Sequence, residues 1–214
     1  MTILTVIIII VVIGMGVAHM PRALTEQEKC RICQKLLEKG KDVVFSHGIR
    51  KVSVDDIAKA AGIAKGSFYQ HFQSKEKYLY ELIMDVHRQV FSRAEQMLSG
   101  KDDPQAAARD LIVSIFHMPE IIFFTRHYHE ISEFMESMSE QEIQSANQME
   151  ADMFKRLLMI AGIDINRVKP GVVHNYIHTL YIAMGSDFMV YDDLPETIEL
   201  ILDSLIAYAF GGAQ

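Results

Sequence analysis

A chain of 214 residues, half of them hydrophobic, is long enough to close one sizeable core or two small ones, and this composition excludes general disorder. Five prolines and twelve glycines exclude collagen-like and low-complexity classes, and two cysteines are too few for a disulfide framework, which points to a reducing compartment. The net charge of −7 is unevenly spread: Met20 to Lys75 holds 11 Lys/Arg against 6 Asp/Glu, and Glu76 onward holds 10 against 22. A basic head on an acidic body is the distribution expected where only the head meets a polyanion.

Ile3 to Ala18 carries no charge and falls slightly short of the usual bilayer-spanning helix. It has neither the positive start of a secretory signal nor the flanking charges that orient an anchor. Residues 1–19 are therefore read first as an upstream start or an added apolar extension. A membrane anchor through residues 3–18 and a segment integrated in the fold are the alternatives.

From Thr25 onward the pattern is helical almost throughout. Thr25 with Glu28 three residues on reads as a capping box opening a helix to about Ser46, and His47-Gly48 closes it. Leu36, Leu37, Gly40, Val43, Val44 and His47 recur at helical spacing within it. Ser53 caps a short helix to Ala60, with Asp55 and Asp56 in the first turn, where the helix dipole favours acids. Ala64 to about His71 makes a third helix, and Ser74 caps a fourth to about Ser99. Pro104 is placed as a first helical residue after the break Ser-Gly-Lys-Asp-Asp. Further helices are expected near 105–117, 120–137, 140–161, 171–190 and 195–210. No segment alternates convincingly at period two and no fixed repeat recurs, so the predicted fold class is all-α.

Residues 53–75 carry the most specific signal. Two short helices joined by a tight turn need a residue tolerant of positive φ, and Gly62 supplies it. They also need a small residue where they cross, which is Ala58, and inward apolar residues, which are Val54, Ile57, Ala61, Ile63 and Phe68. This is the helix-turn-helix pattern over its full length. The second of these helices is nearly free of acids and offers Lys65, Ser67, Tyr69, Gln70 and His71 as donors, while Gly66 lets the backbone approach a groove. Lys75 adds its charge to the positive end of the next helix, a ready phosphate site.

The segment from about Leu36 to Leu82 resembles the DNA-binding domain of the TetR family of bacterial transcriptional regulators. The resemblance rests on Ile57-Ala58, Ala61-Gly62, Gly66, Phe68-Tyr69, His71-Phe72 and Lys75. It implies that Ser53 caps its helix and touches a phosphate, that Lys65, Gly66, Ser67 and Gln70 face the major groove or its edge, and that Tyr69, His71 and Lys75 hold phosphates. One position departs from the family pattern: Ala64 stands where a serine often caps the recognition helix. The implied division is a helix-turn-helix domain over 20–75 and a larger helical effector-binding and dimerisation domain over 76–214.

In that second part the last two helices are the candidate homodimer surface, through Leu180, Met184, Ile198, Ile201, Leu202 and Leu205, since surfaces so apolar do not face water alone. Met and aromatic residues at helical spacing usually form core, but the resemblance implies a hollow body that binds a small effector. Its candidate lining is Phe116, Phe123, Phe124, His127, Tyr128, Met149, Met153, Phe154, Tyr176, His178 and Tyr181. Fixed positive charge is scarce there, with Arg126 and Arg156 nearest, which favours a neutral or cationic lipophilic ligand over a phosphorylated one. His174 and His178 share a helix face and such a pair can hold a metal or a haem. The plainer reading, polar groups lining a cavity, is preferred, and no metal or cofactor is expected. Cys30-x-x-Cys33 lies on a helix, away from the strand–helix context of thioredoxin chemistry, and reads as two ordinary thiols.

The resulting expectation is a cytoplasmic, ligand-responsive regulator that acts as a repressor. It would bind a palindromic double-stranded DNA operator as a homodimer and be released by a small hydrophobic effector that moves the Ser74–Ser99 helix. A membrane-tethered regulator and a helical enzyme with a His-rich site are the alternatives. Against the enzyme, no paired carboxylates, nucleophile–base set or phosphate loop has recognisable spacing.

Overall fold

The structure, a computed structural model, describes residues 25–184 and 191–211. The apolar extension at 3–18 and the end of the helix expected over 171–190 lie outside the described residues. Among those described, the chain is helical, without strands, and no helix is long and apolar enough to cross a membrane.

The helices begin where side chains can satisfy their free amides. Helix α1 (Glu26–His47) opens on a capping box in which Thr25 Oγ1 accepts from the Glu28 amide and the Glu28 carboxylate accepts from the Thr25 amide. Helix α2 (Val54–Ala60) repeats the device with Ser53 and Asp56. Helix α3 is Lys65–Phe68, four residues where eight were expected, because the chain turns back at 69–71 to bury Phe72. Helix α4 (Lys75–Leu98) is capped by Ser74, and α5 (Pro104–Ile115) by Asp103 with Pro104 in its first turn.

The helix expected over 120–137 is two helices, α6 (Pro119–Arg126) and α7 (Tyr128–Glu136), separated by His127, whose φ of −108° and ψ of 20° leave the helical region. Helix α8 (Glu140–Ile160) follows a third capping box, Ser139 with Glu142. Helix α9 (Pro170–Met184), a 3₁₀ turn (Tyr191–Asp193) and α10 (Leu194–Gly211) complete the described chain.

Two cores form. In the head, Leu36, Val44, Val52, Ile57, Phe68 and Tyr78 close around one another, and Tyr78 donates its hydroxyl to the Leu36 carbonyl at 2.9 Å. In the body, Leu111, Leu158, Val173, Leu202 and Leu205 do the same. Helix α4 serves both, giving Tyr78, Leu79 and Leu82 to the head and Ala94 and Leu98 to the body. A boundary at 75/76 therefore falls at the first residue of a helix that both cores share.

Candidate nucleic-acid interface and cavity

The turn between α2 and α3 is built as the sequence requires. Gly62 has a φ of +64°; its amide donates to the Lys59 carbonyl and the Ile63 amide to the Ala58 carbonyl, both at 3.0 Å. This closes α2 in a Schellman arrangement and aims the chain into α3. Ala64 is extended at the start of α3 and makes no side-chain cap. Phe68 is fully buried and anchors α3 through an aromatic cluster with Phe72 and Tyr78, at ring distances of 5.6 and 5.5 Å. The opposite side of this segment faces out: Lys65, Gly66, Tyr69 and Gln70 are exposed and Ser67 is half-buried. A Cβ built on Gly66 would meet nothing within 4 Å, so the backbone there is open to a ligand surface. Lys65 is held by Asp55 of α2 at 3.0 Å, and that hydrogen bond raises its ammonium pKa.

Three of the residues expected on phosphates are placed differently. His71 turns inward: its Nδ1 lies 3.5 Å from Cys33 Sγ and its Nε2 is buried without a hydrogen-bond partner. Burial, and then the charge of Lys29, lowers its pKa, so the ring offers no outward cation. Ser53 is exposed, but its hydroxyl and amide both donate to the Asp56 carboxylate, at 2.6 and 3.1 Å. Lys75 donates to the Arg50 carbonyl at 3.1 Å, which fixes the loop before α2 and leaves two of its three donors for other partners. The sequence reading missed Arg50 and Lys51, exposed cations on that same loop; their signal was a basic pair two residues before a helix cap.

In the body a cavity of about 370 Å³ opens between α4 and all the later helices. It lies within the usual range of small-molecule sites, roughly 300–1,000 Å³. Phe116, Phe124, Tyr128, Phe154, His178 and Tyr181 line it as expected. Among the described residues no lysine or arginine does, and the polar groups are few: His87, Ser132, Glu150 and His174 join those already named. Burial pushes the Tyr181 phenol up to about 12.

Five expected lining residues lie elsewhere. Phe123 faces the head and stacks on Phe45 of α1, with centroids 4.2 Å apart and planes 10° from parallel. His127, at the α6–α7 break, packs on Phe123 at 4.6 Å. Met149 packs against Ile83 and Met84 between α4 and α8, and Met153 lies one turn further along the same side of α8. Glu150, Phe154 and Leu157 hold the cavity side instead, one residue and thus about 100° away. Tyr176 packs against the body core.

The expected dimer residues divide in the same way. Leu180, Leu202 and Leu205 are at most 1% exposed within the single chain, so they form its own core and are not free to meet a partner. Ile198 and Ile201 are half-buried, and the Met184 side chain lies outside the described part. The outward apolar residues of these helices are Ile182, 57% exposed, and Leu200, 64% exposed. Leu200 shares its side of α10 with the exposed small residues Ser204 and Ala207.

Head and body meet at α6. Glu120, 4% exposed, lies 3.3 Å from Lys41 of α1 and 3.4 Å from Arg93 of α4. Burial pushes its carboxyl up, but its own backbone amide and the two cations outweigh that and leave it below the ordinary glutamate range. Phe123, Ile121 and Phe124 all pack against the head core, and Ile121 and Phe124 line the cavity as well. Arg50 with Glu133 of α7 and Lys77 with Glu142 of α8 add two surface ion pairs between head and body.

Residues 36–82 match the family described as bacterial regulatory proteins, tetR family. Over 86 residues the chain is 33% identical to the HTH-type transcriptional repressor KstR2 of Mycolicibacterium smegmatis, a stretch that covers 40% of this chain and 42% of that one. The chain thus spans less than half the length of that relative. Among solved structures, the regulator SCO7518 from Streptomyces coelicolor A3(2) shares the fold with a TM-score of 0.59 at 16% identity, over 84% of this chain and 99% of that one. FadR from Bacillus subtilis, solved in complex with stearoyl-CoA, does so with a TM-score of 0.53 at 18% identity, over 81% and 97%.

Proposed function

The chain belongs to the tetR family of bacterial regulatory proteins, and from that premise we propose that it is a transcriptional repressor acting in the cytoplasm. It binds a palindromic operator as a homodimer and releases it when a small lipophilic effector fills the body cavity. The exposed face of Lys65, Gly66, Ser67, Tyr69 and Gln70 reads the major groove, while Lys75, Arg50 and Lys51 supply backbone charge. Two such heads on a twofold axis read half-sites about one helical turn apart.

The observation that carries the coupling is that α6 touches the cavity and the head with the same residues. Ile121 and Phe124 line the cavity and also pack on the head core, beside Phe123 and the Glu120–Lys41 pair, so a ligand that displaces them displaces the head contact too. The expectation that α4 alone transmits the change is thereby widened to the α4–α6 pair. The effector shifts the balance only by its differential affinity for the two arrangements, about 1.4 kcal/mol for each tenfold change in operator affinity. The apolar wall supports an acyl or aromatic body for that effector. The stearoyl-CoA bound by FadR is in keeping with such a body, although the CoA phosphates would find no lysine or arginine in this cavity wall.

Selection of bound fragments from a random DNA pool tests the reading. The expected product is one inverted repeat, bound by two chains, with an affinity that falls steeply with salt. Recovery of no preferred sequence at moderate salt would remove the regulator reading.

A further inference from the structure

The cavity wall holds one feature that an apolar effector does not need. His174 and His178 lie four residues apart on α9, their ring centroids 4.2 Å apart, and Glu150 reaches across from α8 to within 3.4 Å of His174 Nε2. One donor atom from each of the three lies within 4.8 Å of the other two. All three line the cavity. A histidine–carboxylate pair would be complete with one imidazole, and a second adds only the cost of another polar group in a largely apolar wall.

We propose that Glu150, His174 and His178 bind a divalent transition metal of the zinc class, with an open coordination position facing the cavity. Two nitrogens and one carboxylate oxygen are a donor set that zinc accepts when three protein ligands leave a fourth position free. Bonds of about 2.0–2.1 Å place tetrahedral donors roughly 3.3 Å apart, so the cluster has to close by a little over an ångström. Glu150 and His174 are half-buried and His178 is exposed, which leaves all three room to rotate. The ring of Phe154 stands edge-on to His174 at 5.5 Å and limits its tilt. A metal here places fixed positive charge in a cavity whose wall, among the described residues, has no lysine or arginine. The ligand class then becomes a lipophilic molecule with a metal-binding anionic head, its tail along the apolar wall.

The test uses the full chain, freed of metal, with Cys30→Ser and Cys33→Ser so that thiols do not compete. Cobalt(II) is titrated and its visible ligand-field bands are followed, and zinc(II) is then used to displace it. The expected result is one saturable site per chain. His174→Asn, His178→Asn or Glu150→Gln should each weaken binding by at least about tenfold, with the circular dichroism of the metal-free chain unchanged. Absence of saturable binding, or equal binding by the parent and His178→Asn, overturns the site. In a second arm, octanohydroxamate is added to the cobalt-loaded chain. A shift of the bands supports the open position, and unchanged bands overturn it. DNA is absent from both arms, so a negative result here leaves the regulator reading standing, and a failed operator selection leaves this one.

Discussion

Two glycines in the head carry opposite meanings. A Cβ on Gly40 would collide with the Tyr78 hydroxyl and press Ile57 Cγ2 at 3.1 Å. Tyr78 cannot yield, because it is fully buried and its hydroxyl is held by the Leu36 carbonyl. Gly40→Ala should therefore destabilise the chain by about 1–3 kcal/mol, the usual cost of overpacking, read from the midpoint of a urea unfolding curve. At Gly66 the same methyl group meets open space. Gly66→Ala should leave stability unchanged or raise it by up to about 1 kcal/mol, since alanine loses less backbone freedom in a helix. It should nevertheless weaken operator binding, because the new group stands where the groove would approach. A Gly66→Ala chain with parental affinity in a fluorescence anisotropy titration would show that this backbone does not come close to DNA.

Among the helices, α6 is short, yet it carries a buried acid, Glu120, that ties head to body. Replacing Glu120 with glutamine leaves Lys41 and Arg93 facing a neutral group. The expected loss is about 1–3 kcal/mol at neutral pH, well short of a fully buried pair because both cations retain contact with water. The pH dependence has a definite sign. The folded carboxyl titrates below its ordinary value of 4.5, so its contribution is complete above that pH and is lost as pH falls through the lower folded value. Urea midpoints of the parent and Glu120→Gln should differ at pH 7 and draw together as the pH falls below the ordinary carboxylate value. A difference that stays undiminished down to the lowest pH at which the chain remains folded would show that the carboxylate charge is not what holds α6.

At the scale of the whole molecule, the outward side of α9 and α10 is the proposed contact between two chains. Ile182→Asp with Leu200→Asp should give folded monomers by light scattering, with operator affinity greatly reduced, because neither side chain supports the protomer core. Leu202→Glu should instead unfold the chain, since it places a charge at a site that is 1% exposed. A dimer that survives the double aspartate change would place the contact elsewhere.

The contrast between Leu200 and Leu202 also shows where the sequence stopped being legible. Caps, the Gly62 turn and the helix-turn-helix spacing are local, and a single chain of residues displays them in full. Which side of a helix meets the body is set by distant packing, and an error of one residue rotates the answer by about 100°. Phe123 and Phe124 were both read as lining, yet one stacks on Phe45 and the other faces the cavity. Met149 was read where Glu150 lines the cavity, and of Met153 and Phe154, both read as lining, only Phe154 does so. The break at His127 was invisible for a related reason: neither glycine nor proline marks it, and the neighbouring contacts impose it.

Helix α10 has one further property. Leu205, Ile206 and Ala209 border the cavity, while Leu200, Ser204 and Ala207 point away from it, towards the proposed partner. A molecule entering one cavity would therefore press on a helix shared with the neighbouring chain's contact, and the second cavity would no longer be equivalent to the first. Linkage then requires the two uptake events to differ in free energy, so that saturation departs from a simple hyperbola. Half-occupied dimers would be either depleted or favoured, and the steepness of induction by effector concentration would be set at this helix, independently of the contacts made with DNA.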